Sequence, residues 1–157
     1  MSSFPIKKAM PSSYAALYYH PIWSTRQRSP LIRPEWSDDL YAYIGGIFRN
    51  QGNRLLVAGG VADHIHLLCS LQRDSVVMDV VQTIKTNSSK WLREGHSPSF
   101  RWQDGYAAFT VSHGALAAVE RYIRNQAEHH KKLTFEEEMR EIFQRCGIDI
   151  DERFFNQ

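Results

Sequence analysis

Two β-rich runs, Arg54 to Val61 and His64 to Leu71, are separated only by Ala62 and Asp63. A connection that short joins antiparallel neighbours, so the stretch is expected to be a hairpin, and the rest of the chain must cover its faces. The flanking sequence supplies the partners. Residues 14–25, YAALYYHPIWST, are aromatic and β-branched and read as a first strand, interrupted or bulged near Pro21, which has no N–H to give a ladder. From Pro34 onward Leu40, Tyr43, Ile44, Ile47 and Phe48 recur at helical spacing, with Gly52 as the stop. Val76, Val77, Val80, Val81 and Ile84 mark a second helix over 75–93, ending before Gly95. Tyr106 to Ser112 reads as another strand, and Ala115 to Lys132 as one helix with no internal Pro or Gly. Thr134, with Glu137 three residues on, forms a capping box for a last helix that stops at Gly147. The order β-α-β-β-α-β-α-α, without internal repeats, predicts an α+β fold: an antiparallel-rich sheet with helices on one face.

Composition agrees with one compact domain over 1–157. The 157 residues are 43% hydrophobic and 23% charged, with only 9 Gly and 6 Pro, which excludes disordered and collagen-like classes. Tyr14 to Trp23 is broken by His20 and Pro21 and is far shorter than the roughly 20 apolar residues of a membrane span, so no membrane partner is expected. Lys7 and Lys8 are followed by neither an apolar stretch nor a small-residue cleavage site, which favours the cytoplasm. Cys69 and Cys146 are too few for a disulfide framework and fit that compartment. The net charge of +2 hides an asymmetry: 16 Lys and Arg stand against 10 Asp and Glu up to residue 133, and 3 against 7 from Thr134 onward. A basic body permits a polyanionic partner, while 134–157 form an acidic helix and tail.

The chemistry concentrates first at Asp63-His64-Ile65-His66. Side chains two apart on a strand project from one face, so both imidazoles can converge on one ion while Ile65 points into the opposite layer. Two ligands do not make a site, and an isolated pair of this kind is more often merely solvated or satisfied. Cys69 has the wrong parity to join them, which argues against a Cys/His zinc site on this strand. The run Tyr122-Ile123-Arg124-Asn125-Gln126-Ala127-Glu128-His129-His130 places Tyr122 and Gln126 four apart on one helical face, with His129 nearby. Read alone, Tyr122 is more often a core or interface aromatic, and Gln126 is usually a solvated helix residue.

Taken together, Asp63 to Leu68, Trp102 to Ser112, Tyr122 to Gln126 with His129-His130, and the tail Gly147-Ile148-Asp149-Ile150-Asp151-Glu152-Arg153 resemble, in order, the single-tyrosine transposases of the IS200/IS605 type and their repeat-associated relatives. These are enzymes named for a histidine-hydrophobe-histidine motif. The similarity runs from about Tyr18 to Phe155. It implies that His64, His66 and Gln126 are metal ligands and that Tyr122 is the nucleophile. It further implies an RNA-recognition or ferredoxin-like fold, a homodimer, and a reaction that joins the tyrosine to the 5′ phosphate of single-stranded DNA.

Those roles are chemically coherent. A cation held by two neutral imidazoles and an amide oxygen polarises a phosphodiester oxygen, and a phosphotyrosine conserves bond energy for rejoining. An open His/Gln set accepts Mg²⁺ or Mn²⁺, although histidine ligands alone would suit zinc or another transition metal. Candidate DNA contacts are Arg26, Arg28 and Arg33 after the first strand, Lys85, Lys90 and Arg93 on the second helix, and Trp91 or Trp102 as a stacking platform. The expected activity is cleavage and rejoining of single-stranded DNA at hairpin-bearing element ends or palindromic repeats. Competing readings are a domesticated enzyme that nicks repeats, a non-catalytic nucleic-acid-binding module of the same fold, and a structural zinc domain. His20, His96 and His113 read as structural, and Glu136, Glu137 and Glu138 as carboxylates that complement a helix dipole.

Overall fold

The computed structural model describes residues 13–157; Lys7 and Lys8 lie outside them. The elements are β1 (Leu17–Ser24), α1 (Pro34–Asn50), β2 (Arg54–Val61), β3 (His64–Leu71), α2 (Val77–Gly95), β4 (Ala107–Val111), α3 (Leu116–Arg124), α4 (Gln126–His129) and α5 (Phe135–Arg145), closed by a 3₁₀ turn at Glu152–Asn156. They build one four-stranded sheet in the order β2-β3-β1-β4, antiparallel at every pairing. The two-residue connection at Ala62–Asp63 does turn the β2–β3 hairpin, with Val61 opposite His64. No helix of the described residues is long and apolar enough to cross a membrane.

Strand parity sorts the side chains into two layers. Trp23 of β1 and Ile65, Leu67, Cys69 and Leu71 of β3 face α1 and α2, where they meet Leu40, Ile44, Phe48, Val81, Ile84 and Leu92. The two long helices thus share one face, as the element order implies. The opposite face carries Ile22, Val57, Leu68 and Ala107, too apolar to be left in water, and α3 to α5 cover it: Ile123 packs on Val57 and Leu68, and Phe135, Met139 and Phe143 pack on Ile22 and Ala107. The acidic C-terminal segment is therefore an amphipathic wedge over the sheet. Its Arg140 binds Glu136 and Glu152 and lies 4.6 Å over the Phe155 ring, fastening the terminal 3₁₀ turn to α5.

Local chemistry explains where the elements depart from expectation. β1 is not bulged at Pro21: its register is the same at Tyr19↔Cys69 and Ile22↔His66, and Pro21 stands opposite Ala108. Only rungs to β3 at His20 and Pro21 drop out, so the missing N–H costs pairing without adding a residue. The irregularity lies in β2, between Leu55 and Val57. The helix expected over 115–132 breaks at Asn125 (ψ 17°), beyond which α4 adds a single turn. Asn competes with helical hydrogen bonding through its own side chain, and here the Gln126 side-chain amide reaches back to the Tyr122 carbonyl at 3.4 Å. Thr134 and Glu137 form the capping box as read, and Gly147, at φ +66°, follows the end of α5.

One glycine sets the distance between sheet and tyrosine helix. Gly59 pairs with His66, and a Cβ there would stand 2.5 Å from the Ile123 carbonyl oxygen. Only a residue without a side chain lets α3 lie that close beside the histidine strand.

Candidate metal centre

His64 and His66 project from β3 into the layer under α3 to α5, both fully buried. Each ring is held by its outer nitrogen. His64 Nδ1 lies 2.6 Å from Asp63 Oδ1, and His66 Nδ1 lies 2.9 Å from His20 Nε2. Their Nε2 atoms therefore point inward, toward Glu138 of α5: His66 Nε2 is 2.9 Å and His64 Nε2 3.5 Å from Glu138 Oε1. The other carboxylate oxygen accepts from the Tyr122 hydroxyl and from Gln126 Nε2 (3.3 Å), and stands 3.2 Å from both His129 Nε2 and His130 Nε2. Gln126 directs its carbonyl oxygen at His64 Nε2 (3.2 Å) and His130 Nε2 (2.9 Å).

This arrangement follows from a buried charge. Glu138 is 1% exposed, and a carboxylate out of water persists only when its oxygens are paired. Burial alone pushes its carboxyl up, but the hydrogen bonds from His130, His64 and His66 together win and hold it well below the ordinary range. His64 is likewise pushed down by burial, yet Asp63 and Glu138 raise it to about 9. Both of its ring nitrogens face acceptors, so its cationic form is favoured. His66 and His20 are held neutral, at about 4 and about 3, chiefly by burial. A neutral His66 that donates from Nε2 to the carboxylate accepts at Nδ1 from His20. Burial first, and then the negative Glu138, raise the Tyr122 phenol far above its usual range, so it is fully protonated at neutral pH.

The set fits a divalent cation. One ligand atom each from His64, His66, His130 and Glu138 lies within 4.8 Å of all the others. Anchoring of a ligand's second nitrogen by a carboxylate or another acceptor is the usual support of a metal-bound histidine, and Asp63 and His20 provide it here.

The structure brings together all four side chains expected at the centre. Tyr122, His64, His66 and Gln126 meet within one chain, with the Tyr122 ring 5.7 Å from that of His66. Sequence reasoning missed Glu138, His130 and His20. Glu138 had a readable signal: Phe135, Glu138, Met139, Ile142 and Phe143 follow the i, i+3, i+4, i+7, i+8 rule, which puts that carboxylate on the apolar stripe of α5. His20 shares strand parity with Ile22, but its partner is set by the β1–β3 pairing. Beside the centre, a cleft of about 390 Å³ lined by His20, Phe109, Tyr122 and Arg145 gives access to the phenol.

The expected DNA contacts scatter. Lys85 and Arg93, with Arg101, line a cleft of about 460 Å³ between α2 and the 101–106 loop, on the α1 and α2 side of the sheet, away from the histidines. Lys85 is partly committed there, donating to the Asp104 and Gly105 carbonyls, and its ammonium is lowered to about 8, mainly by burial. Lys90 is exposed and within 4.0 Å of Glu94. Arg26 and Arg33 are exposed. Arg28 instead donates to the Phe155 carbonyl at 2.7 Å, anchoring the C-terminal turn. Trp91 stacks on Tyr43 at 4.9 Å between α1 and α2, and Trp102 is a core residue donating to Ser88 Oγ at 3.0 Å, so neither presents a free ring face as it stands.

The chain has counterparts among known proteins. Residues 13–126 match the family described as "Transposase IS200 like", and the chain belongs to that family. The ISDra2 transposase TnpA of Deinococcus radiodurans is 27% identical over 117 residues, covering 70% of this chain and 84% of that protein. A crystal structure of a protein assigned as a transposase, also from Deinococcus radiodurans, superposes with a TM-score of 0.58 at 28% identity, over 76% of this chain and 97% of the other. A REP-associated tyrosine transposase bound to a REP hairpin has the same fold, with a TM-score of 0.58 at 16% identity over 83% of this chain and 74% of its own. The matched family segment ends at Gln126, so α5 and its Glu138 lie beyond it.

Proposed function

We propose that the chain cleaves and rejoins single-stranded DNA through Tyr122. The phenol oxygen attacks a phosphodiester phosphorus, the bond from phosphorus to the 3′ oxygen breaks, and that oxygen leaves as a 3′ hydroxyl with a proton. The 5′ phosphate stays on the tyrosine. Rejoining reverses the step: a 3′ hydroxyl attacks the phosphotyrosine, returns the phenol and reseals the strand without ATP. A divalent ion, Mg²⁺ or Mn²⁺, held by His64 and His66 with Gln126 beside them, would supply charge neutralisation at a non-bridging oxygen. Asp63 and His20 orient the two imidazoles. Glu138 Oε2 accepts the hydrogen bond of the Tyr122 hydroxyl, on the side from which the phenol must lose its proton.

The observation that carries this reading is the convergence of the Tyr122 hydroxyl and both inward histidine nitrogens on one buried carboxylate. A non-catalytic binding module has no use for it: at the sheet positions where such a module displays aromatic rings to nucleic acid, His64 and His66 stand buried under helices. The hairpin held by the REP-associated neighbour supports a hairpin-bearing or palindromic substrate. A homodimer is compatible with these contacts, although every side chain of the centre comes from one chain. The test is a denaturing gel of purified protein with labelled oligonucleotides from its own flanking DNA, with Mn²⁺ and with chelator. A metal-dependent covalent adduct that disappears in Tyr122→Phe is the expected result. Tight hairpin binding with no adduct would leave a binding protein, and the oligonucleotide cut separates a mobile element's enzyme from a repeat-nicking one.

A further inference from the structure

The metal cage contains a negative charge that neither the histidine pair nor the tyrosine helix provides. Glu138 enters from α5, outside the family segment, and its position is dictated by packing: Phe135 and Met139, on the same stripe, are buried against the sheet. That anchorage leaves the carboxylate no route to solvent. Its Oε1 faces the inward nitrogens of both His64 and His66, at 3.5 and 2.9 Å, while Oε2 takes the Tyr122 hydroxyl and the Gln126 amide. Gln126, by contrast, turns its carbonyl to His64 and His130, and has no hydrogen bond to His66.

We infer that Glu138 is itself a metal ligand, completing a two-histidine, one-carboxylate set with His64 and His66, with Gln126 in a supporting place beside it. The inference rests on the reading of His64 and His66 as the metal pair. Its chemistry is favourable: a hard anionic oxygen suits Mg²⁺ and Mn²⁺ better than an all-neutral set does, and two histidines with one carboxylate leave positions open for substrate oxygens. One carboxylate would then hold the cation on Oε1 and the nucleophile's hydroxyl on Oε2, tying the placing of Tyr122 to occupancy of the site. It also gives α5 a function: a C-terminal helix that supplies a ligand makes the metal site depend on residues past the family segment.

The experiment is calorimetric titration of Mn²⁺ into the full chain and its variants, with folding checked by melting curves in EDTA. The unmodified protein is expected to bind one Mn²⁺, His64→Ala to lose binding, and Glu138→Gln to bind more weakly by a factor beyond the roughly 10- to 100-fold that outer-shell changes cost. Gln126→Leu should lose less than Glu138→Gln. Undiminished binding in His64→Ala would defeat the underlying metal-pair reading. Loss in His64→Ala with unchanged affinity in Glu138→Gln would overturn the Glu138 assignment alone. An infrared difference spectrum of the unmodified protein, with and without Mn²⁺, needs no variant: a shifted carboxylate stretch supports the assignment, and its absence refutes it.

Discussion

His20 and His66 are joined ring to ring across the β1–β3 pairing, with His20 Nε2 2.9 Å from His66 Nδ1. The contact fixes which nitrogen of His66 faces the centre. Without metal, His66 donates inward and accepts from His20; for Nε2 to bind a cation, the proton must sit on Nδ1 and be donated to His20 instead. His20 can play both parts because burial keeps it neutral. His20→Phe, which fills the space and removes the partner, is expected to weaken Mn²⁺ binding by about 10- to 100-fold. Isothermal titration measures it; an unchanged affinity would make His20 a packing residue.

The same groups give the metal-free protein a stability maximum. His66 and His20 are pushed down to about 4 and about 3, mainly by burial, whereas both take protons near 6.5 when unfolded. The unfolded state therefore binds more protons below pH 6.5, and stability falls on acidification. Glu138, held below its ordinary range by its histidines, adds to this acid arm below its unfolded pKa of about 4.3. His64 acts in the opposite sense. Raised to about 9 by Asp63 and Glu138 against burial, it stabilises fully below 6.5 and loses that contribution as pH climbs through 9. Melting temperatures in EDTA should peak near pH 6.5 and decline on both sides. Mn²⁺ should erase the alkaline decline, because a ligand His64 gives up that proton. A steady rise from pH 6.5 to 9 in EDTA would contradict the assignment.

The outline of this fold was legible because its strands alternate and its connections are short. The hairpin at Ala62–Asp63, the face shared by His64 and His66, and the Thr134–Glu137 box each rest on local geometry. The centre was legible only in part. A carboxylate in the first turn of an acidic helix looks like dipole chemistry, and only the spacing of Glu138 relative to Phe135, Met139 and Phe143 marks it as inward. His20 and His66 are 46 residues apart and meet through sheet order, which local pattern does not specify. Likewise Trp91 and Trp102 carry the composition of a base platform, but cross-helix packing takes one and the core the other.

DNA affinity should divide the basic residues in the same way. Lys85 and Arg93 line one cleft, so replacing both by Ala should weaken oligonucleotide binding and flatten the plot of log affinity against log salt by about 0.7 for each phosphate no longer neutralised. Trp91→Ala should chiefly lower the melting temperature, because the stack on Tyr43 is gone. Fluorescence anisotropy from about 50 to 200 mM salt checks the first, and a thermal melt the second. An unaltered slope in the double variant would remove the α2 cleft from the DNA path.

The spacing between sheet and tyrosine helix offers a separate probe. At Gly59 an added methyl would meet the Ile123 carbonyl at 2.5 Å, and a backbone oxygen cannot swing aside as a side chain does. In Gly59→Ala, α3 must move away from β2, at a cost of about 1–3 kcal/mol in stability. Tyr122, next in the chain, moves with it, while His64 and His66 stay on β3. Adduct formation should fall more than Mn²⁺ affinity, a divergence that gel and calorimeter read independently. Equal losses in both would mean that the strand itself has shifted.

Whether one subunit suffices is decided by mixing. Tyr122 and the histidines meet within a single chain, so chemistry in cis predicts that Tyr122→Phe and His64→Ala, each inactive, stay inactive when combined. An exchange of α3 between protomers would instead pair an intact tyrosine with an intact histidine strand in mixed dimers. After co-refolding, that exchange would restore up to about half of the sites in the mixed dimers. The break at Asn125 is the segment that would have to open for such a swap, since α3 would leave while α5 stays packed on Ile22 and Ala107. That packing includes Glu138, whose hydroxyl partner is Tyr122, so a swap must also carry the phenol to the other subunit's carboxylate. Restored adducts in the mixture would show this; their absence assigns cleavage to the single chain.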